Sequence, residues 1–336
     1  MNLKSIFLLI ALFSWTHIGN AQSELQLVNV GDFKTSNGDI IKDCVVGYRT
    51  MGKLNAERSN VVLWPTWFAG TSEQIVNSGL TNSLIDTSGL FIVFVDALTN
   101  GVSSSPSNRE DFPIISIRDM VNSQYLLLVN HLNIEHVYAI MGISMGGMQT
   151  FEWVVAYPDF MDKAIPIVGT PKQSSYDILV WRTMADLLTE AGQDPRKLDF
   201  AYKQATNIFL MNVNTPTLFA KTQNPDSLDI YLEQQYSTRI KPEDFLAGIK
   251  AMIPHDIYKS SGCAQEDIKN IIRADMLIVL AAQDHLVNPI SAIELSKELN
   301  AELVMLQSDC GHGVSVCESE KIKNAVTKFL SDKQVN

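Results

Sequence analysis

Positive charge is in short supply in this chain. It carries 26 Lys and Arg against 37 Asp and Glu, a net charge of −11 over 336 residues. That balance argues against nucleic acid or an anionic membrane surface as a partner, because both would repel it. Cysteine is also scarce. The four present, Cys44, Cys263, Cys310 and Cys317, include no C-x-x-C pair, so zinc-site spacing is missing. Beyond the N-terminal region no stretch offers 18 uninterrupted apolar residues, so nothing there reads as a stable membrane span. Internal repeats and low-complexity tracts are absent, which sets repeat architectures aside. Nothing in the pattern calls for a metal or a cofactor.

What is present is apolar material: 46% of the residues are hydrophobic and 19% charged, enough to bury a sizeable core. The first residues have the form of a secretory signal. Lys4 supplies positive charge, Ile6 to Trp15 an apolar run, and Gly19-Asn20-Ala21 the small residues before a cut ahead of Gln22. The expectation is a signal peptide over residues 1–21 and an exported protein, periplasmic or extracellular. An even cysteine count in such a protein permits disulfides. Cys310 and Cys317 are the expected pair, seven residues apart on either side of His312.

Strands are predicted at Val45 to Thr50, Val61 to Trp64, Phe91 to Val95, Val137 to Met141 and Ala164 to Val168. They return at Met276 to Leu280 and Leu303 to Leu306. Helical periodicity marks Ile117 to Leu132, Met148 to Tyr157 and Glu318 to Leu330. Alternating strands and helices imply an α/β fold, with a mostly parallel sheet covered on both faces. From about Gln173 to Asp256 the chain is mostly helical. The predicted organisation is therefore a core over residues 22–172 and 261–336, with a helical cap over 173–260 at the sheet's C-terminal edge.

Gly142-Ile143-Ser144-Met145-Gly146 fits the G-x-S-x-G nucleophile elbow, placed between an apolar strand and a helix. A serine nucleophile needs a base, and the base an orienting carboxylate. Asp284 follows one late strand and His312 follows the next, in the chain order Ser, Asp, His. Asp309 is the runner-up acid, too near His312 in sequence to orient it easily. His285 adjoins the acid. His131, His136 and His255 sit near helix ends or turns, where capping or solvent contact is expected, and His17 lies in the signal. One oxyanion donor is expected from the Met145 N–H. The other comes from the loop after Trp64, with Trp67 and Phe68 as candidates; Pro65 has no N–H. The side chains of this loop could also wall the acyl pocket.

With these residues in place, the chain resembles the homoserine O-acetyltransferase family of α/β-hydrolases from about Val45 onward. The resemblance rests on Tyr48 to Asn55, Arg58-Ser59-Asn60 and Ile117 to Val121. Its most specific part is Ser144-Met145-Gly146-Gly147-Met148-Gln149 with Glu152-Trp153 and Tyr157-Pro158. It implies Ser144 as nucleophile, Asp284 as acid, His312 as base and Phe68 as the second oxyanion donor. The chain also departs from that family. Gly313 stands where the family has an aspartate for the substrate amino group. Ala185 stands where it has an arginine for the substrate carboxylate, with Arg182 about one helical turn away. Ile143 precedes the nucleophile where the family often has glycine. Residues 173–260 hold 9 Lys and Arg against 11 Asp and Glu, so they offer no basic patch for a nucleotide phosphate.

Three readings follow. The first is an exported serine ester hydrolase acting on a small-molecule ester. The second is an O-acyltransferase passing an acyl group to homoserine or another alcohol. The third is a non-catalytic binding protein on the same fold. A homodimer is compatible with each.

Overall fold

Ten strands occur in chain order among the described residues. They are β1 (Gln26–Asn29), β2 (Phe33–Lys34), β3 (Ile40–Ile41), β4 (Val45–Gly52), β5 (Val61–Pro65), β6 (Phe91–Val95), β7 (Val137–Ile143), β8 (Met161–Ile167), β9 (Asp275–Ala281) and β10 (Glu302–Leu306). The computed structural model describes residues 24–237 and 240–332, so the signal read over residues 1–21 lies outside the described residues. Eight strands make one sheet in the order β1-β4-β6-β5-β7-β8-β9-β10, and β2 pairs with β3 in a separate hairpin. Pairings from β6 to β10 are parallel, while β1 and β4 add an antiparallel edge.

The central strands are apolar without alternation because both faces are covered. In β5, Val61 and Leu63 enter one core cluster and Val62 and Trp64 the other, as the two-residue period of a strand requires. Helices α1 (Ser72–Asn77) and α2 (Leu80–Leu84) follow β5, and α3 (Ile117–Leu126) follows β6. Helix α4 (Met145–Ala156) leaves β7. Six helices then intervene before β9: α5 (Ser175–Ala191), α6 (Pro195–Val213), α7 (Pro216–Thr222), α8 (Leu228–Ser237), α9 (Pro242–Met252) and α10 (Ile257–Ser261). Proline opens α6, α7 and α9, where its missing N–H costs nothing. Helices α11 (Ile290–Leu299), α12 (Val314–Cys317) and α13 (Ser319–Ser331) complete the chain. Ile322, Val326 and Phe329 of α13 form its buried stripe, at the spacing of one helical face.

The alternation of strands and helices matches the sequence expectation, with differences at particular elements. The helix expected over Ile117 to Leu132 is α-helical only to Leu126. A π turn follows, in which the Leu132 N–H reaches the Leu127 carbonyl at 3.1 Å. That wider turn buries both Leu127 and Leu128. Helix α4 starts at Met145 rather than Met148. β1, the hairpin, α1, α2 and α11 carry no expectation from the sequence. β1 is a mostly exposed edge strand, and α1 is a short helix of 6 residues held by a Thr71–Gln74 capping box. Among the described residues no helix is long and apolar enough to cross a membrane.

Of the two roles expected for His255, capping or solvent contact, the second does not hold. It is buried, with Nε2 3.0 Å from the Thr170 carbonyl and Nδ1 3.8 Å from Glu152. Glu152 itself is buried, pairs with Arg118 and accepts from Ser260 at 3.0 Å. Desolvation outweighs the pull of Glu152 and holds the His255 pKa below its ordinary 6.5. A histidine kept neutral in the fold but free to protonate when unfolded withdraws stability as pH falls below about 6.5. His255→Gln should therefore flatten the loss of Tm between pH 7 and pH 5 in thermal melts. A slope equal to wild type would show that His255 does not carry the effect.

Candidate active site

The sheet order places β5 between β6 and β7, so the chain reverses its winding direction beside β5. Open α/β sheets bind ligands at the C-terminal strand edge next to such a reversal. Ser144 sits there, between the last residue of β7 and the first of α4. Its backbone has φ 59° and ψ −121°, a region that side-chain-bearing residues rarely occupy. Two glycines make the turn possible. A Cβ at Gly142 would lie 2.2 Å from the Gly146 carbonyl oxygen, and one at Gly146 would lie 2.6 Å from the Pro65 carbonyl oxygen. The Ser144 N–H donates to Ile167 at 2.9 Å and its carbonyl accepts from Met148 at 2.9 Å, which pins the turn at both ends.

The three residues predicted from the sequence converge. His312 Nε2 lies 2.8 Å from Ser144 Oγ, and His312 Nδ1 lies 2.7 Å from Asp284 Oδ2. The other Asp284 oxygen accepts the Leu286 and Val287 N–H groups, each at 2.9 Å. With Nδ1–H donating to the carboxylate, Nε2 turns a lone pair towards the serine hydroxyl. Ser144, Asp284 and His312 are respectively 8%, 5% and 8% exposed, so the relay is nearly closed to water. Asp309, the runner-up acid, instead pairs with Lys221 at 2.8 Å, and His285 is exposed.

Met145 opens α4, so its N–H has no intrahelical partner, and the positive end of the helix dipole lies beneath Ser144. Phe68 lies on the facing loop after β5. That loop is anchored by Thr66 N–H to Val95 (3.0 Å), Ala97 N–H to Thr66 Oγ1 (3.0 Å) and Asn100 Nδ2 to the Gly70 carbonyl (3.0 Å). Buried Asp96 accepts the Ser72 N–H at 2.8 Å and the Asn100 amide at 2.8 Å. Asp96 and Asn100 carry no expectation from the sequence. An aspartate at the C-terminal end of a central strand was the available signal.

The Phe68 ring packs against Trp181, Phe209 and Phe245 at centroid distances of 5.5, 5.8 and 4.7 Å, on helices α5, α6 and α9. Trp67 is half-buried against the core cluster that holds Val62 and Trp64, not the cluster of Phe68, with its indole over Gly70. Arg182 is not brought to the triad. Its side chain is exposed, while Val180, Trp181, Met184, Ala185 and Leu188 form the buried face of α5. Ala185 lies in the same apolar cluster as Phe68. Gly313 is half-buried, and a Cβ added there would meet nothing within 4 Å. Cys310 and Cys317 are joined by a disulfide with Cα atoms 6.4 Å apart, closing a short loop around His312.

A family model described as alpha/beta hydrolase fold matches residues 60–316. The chain belongs to that family. It is 36% identical over 174 residues to an ethyl acetate hydrolase of Pseudomonas veronii, covering 49% of each chain. It thus spans about half the length of that relative. It is 29% identical to a homoserine O-acetyltransferase of Methanosphaera stadtmanae over 90% of this chain and 72% of the other. This agrees with the resemblance read from the residues. An acetylester hydrolase from Corynebacterium glutamicum superposes with a TM-score of 0.85 at 22% identity, over 92% of this chain and 96% of that one.

The cysteines give a countable outcome. Cys44 is buried with its pKa pushed up to about 11, and Cys263 is half-buried. A thiol reagent should find one reactive thiol (Cys263) in native protein, two after unfolding and four after reduction. Four thiols in unfolded, unreduced protein would mean that Cys310 and Cys317 are not bonded.

Proposed function

We propose that the chain is an exported serine ester hydrolase acting on short-acyl esters through an acyl-Ser144 intermediate. The observation that carries this is the continuous relay of Ser144, His312 and Asp284, at 2.8 and 2.7 Å, on a nucleophile elbow. His312 takes the Ser144 proton as Oγ attacks the ester carbonyl. The N–H groups of Met145 and Phe68 receive the oxyanion. As the C–O bond breaks, His312 returns the proton to the leaving alcohol. Water then enters, gives its proton to His312 and attacks the acyl carbon. Collapse releases the acid and restores Ser144. Asp284 holds the ring orientation and stabilises the imidazolium throughout. The Phe68 ring is packed by Trp181, Phe209 and Phe245, so bulky aromatic side chains crowd the loop that carries the proposed oxyanion donor, which supports a small acyl group. The match to an ethyl acetate hydrolase points the same way.

The second reading, transfer to homoserine or another alcohol, is favoured by the 29% match over nine-tenths of the chain. Against it stand Gly313 and Ala185 in place of two charged contacts to an amino-acid substrate. Export rests on Lys4 and the apolar run behind it, with the Cys310–Cys317 bond in support. Assembly as a homodimer is part of the proposal. Exposed Leu179, Phe200, Met211 and Ile230 on α5, α6 and α8 are apolar surface that a second copy could cover.

Two experiments test the reading. Ser144→Ala should lower turnover of p-nitrophenyl acetate by about 10⁴-fold or more with an unchanged melting profile. Wild-type-like turnover would sink the mechanism. Homoserine should not accelerate breakdown of the acyl-enzyme, whereas saturable acceleration with O-acetylhomoserine as product would make the transferase reading correct. Gly313→Asp has room to fold and should gain amino-acid binding only if the rest of a homoserine pocket is present.

A further inference from the structure

We propose that Gln149 is a positioning residue that holds the two halves of the oxyanion hole in register. This rests on the Ser144 acyl-transfer reading. The two proposed donors, Met145 N–H and Phe68 N–H, come from separate segments: the start of α4 and the loop after β5. They must nevertheless converge on one oxygen at about 3 Å each. The side-chain amide of Gln149, one turn into α4, bridges these segments. Its nitrogen donates to the Thr66 carbonyl at 3.0 Å and to the Met145 carbonyl at 3.2 Å. Thr66 lies two residues before Phe68, and Asn100 holds the loop's far side at Gly70.

The amide cannot turn over. Its oxygen accepts from Gln124 Nε2 at 2.5 Å, and Gln124 Oε1 accepts from the Trp153 indole N–H at 2.8 Å. Indole is a donor only, so Trp153 forces Gln124 to present oxygen to it and nitrogen to Gln149. Gln149 must then present nitrogen to the two carbonyls, which are acceptors only. Thr66, Gln124, Gln149 and Trp153 are all fully buried. A buried amide is costly unless its polar atoms are paired, and an apolar side chain would fill the same space. What the amide adds is a fixed direction and a fixed spacing.

The test uses the full chain and two variants. Gln149→Met removes both donors. Gln149→Glu keeps the shape and the acceptor for Gln124 but replaces the donating nitrogen with an oxygen. The probe is phosphonylation of Ser144 by a p-nitrophenyl alkylphosphonate, whose P=O oxygen occupies the oxyanion site. Ester kcat and KM are measured alongside, per titrated active site. Both variants should phosphonylate about 10–100-fold more slowly, below the loss from deleting a donor outright. Ester kcat should fall by a similar factor, with KM within about twofold. A purely structural role would lower Tm and the titratable fraction but leave the rate per site unchanged. Either variant labelling within threefold of wild type per site overturns the proposal. Phosphonylation needs no acyl acceptor. A wild type that labels but does not turn over esters would therefore defeat the hydrolase reading and leave the Gln149 comparison standing.

Discussion

Ser144 is held in a backbone conformation that a non-glycine residue adopts only under constraint, at a cost of about 1–3 kcal/mol. Much of the neighbouring structure supplies that constraint. The turn closes only because Gly142 and Gly146 touch without a Cβ, and because Gly146 passes close to the Pro65 carbonyl. Helix α4 then packs so tightly that its residues from Met145 to Val155 are all buried. A Cβ on Gly147 would sit 3.0 Å from Gly169, at the start of the chain leading out of β8. The sheet and α4 therefore act as a rigid seat, and the strain presents the serine oxygen to the rest of the site.

The other groups of the candidate site arrive at the same edge by topology. Loops after β5, β7, β9 and β10 all open on the C-terminal side of parallel strands, and each delivers one part of the proposed apparatus: the loop carrying Phe68, then Ser144, Asp284 and His312. Burying a carboxylate there is costly unless its oxygens are satisfied. Asp284 has two backbone N–H donors on one oxygen and His312 on the other. The helices before β9 close the site from above. Trp181, Phe209 and Phe245 meet Phe68, while Thr215 on the way into α7 donates to the Asp309 carbonyl, beside the His312 loop.

This division explains what was legible in the sequence. β5, β6 and β9 stand out because strands covered on both faces must be continuously apolar. The elbow and the order Ser, Asp, His are legible because their positions follow strand ends. The placement of Arg182 is not legible, because a departure from a family pattern does not reveal helix phase. It lies three residues from Ala185, yet Ala185 faces the core and Arg182 faces out. β1 was missed because an exposed edge strand with one partner needs little apolar patterning. Gln149 was visible as part of a motif, but its role was not. Its partners Gln124 and Thr66 lie 25 and 83 residues away, and only the fold brings them together.

The choice of acyl acceptor turns on the same geometry. Hydrolases and transferases of this type share every step up to the acyl-enzyme, so the relay itself carries no preference. Preference must come from groups that hold the incoming nucleophile beside His312. At Gly313 the chain offers no side chain and leaves open space around the missing Cβ. At Ala185 it offers an apolar surface continuous with Phe68 and Trp181. Neither position can pair with the charges of a zwitterionic amino acid, whose desolvation would then go uncompensated. Water needs no such partner: in the proposed mechanism His312 alone orients and deprotonates it. These two absences, beside the relay of Ser144, His312 and Asp284, are what support the proposed hydrolysis over transfer.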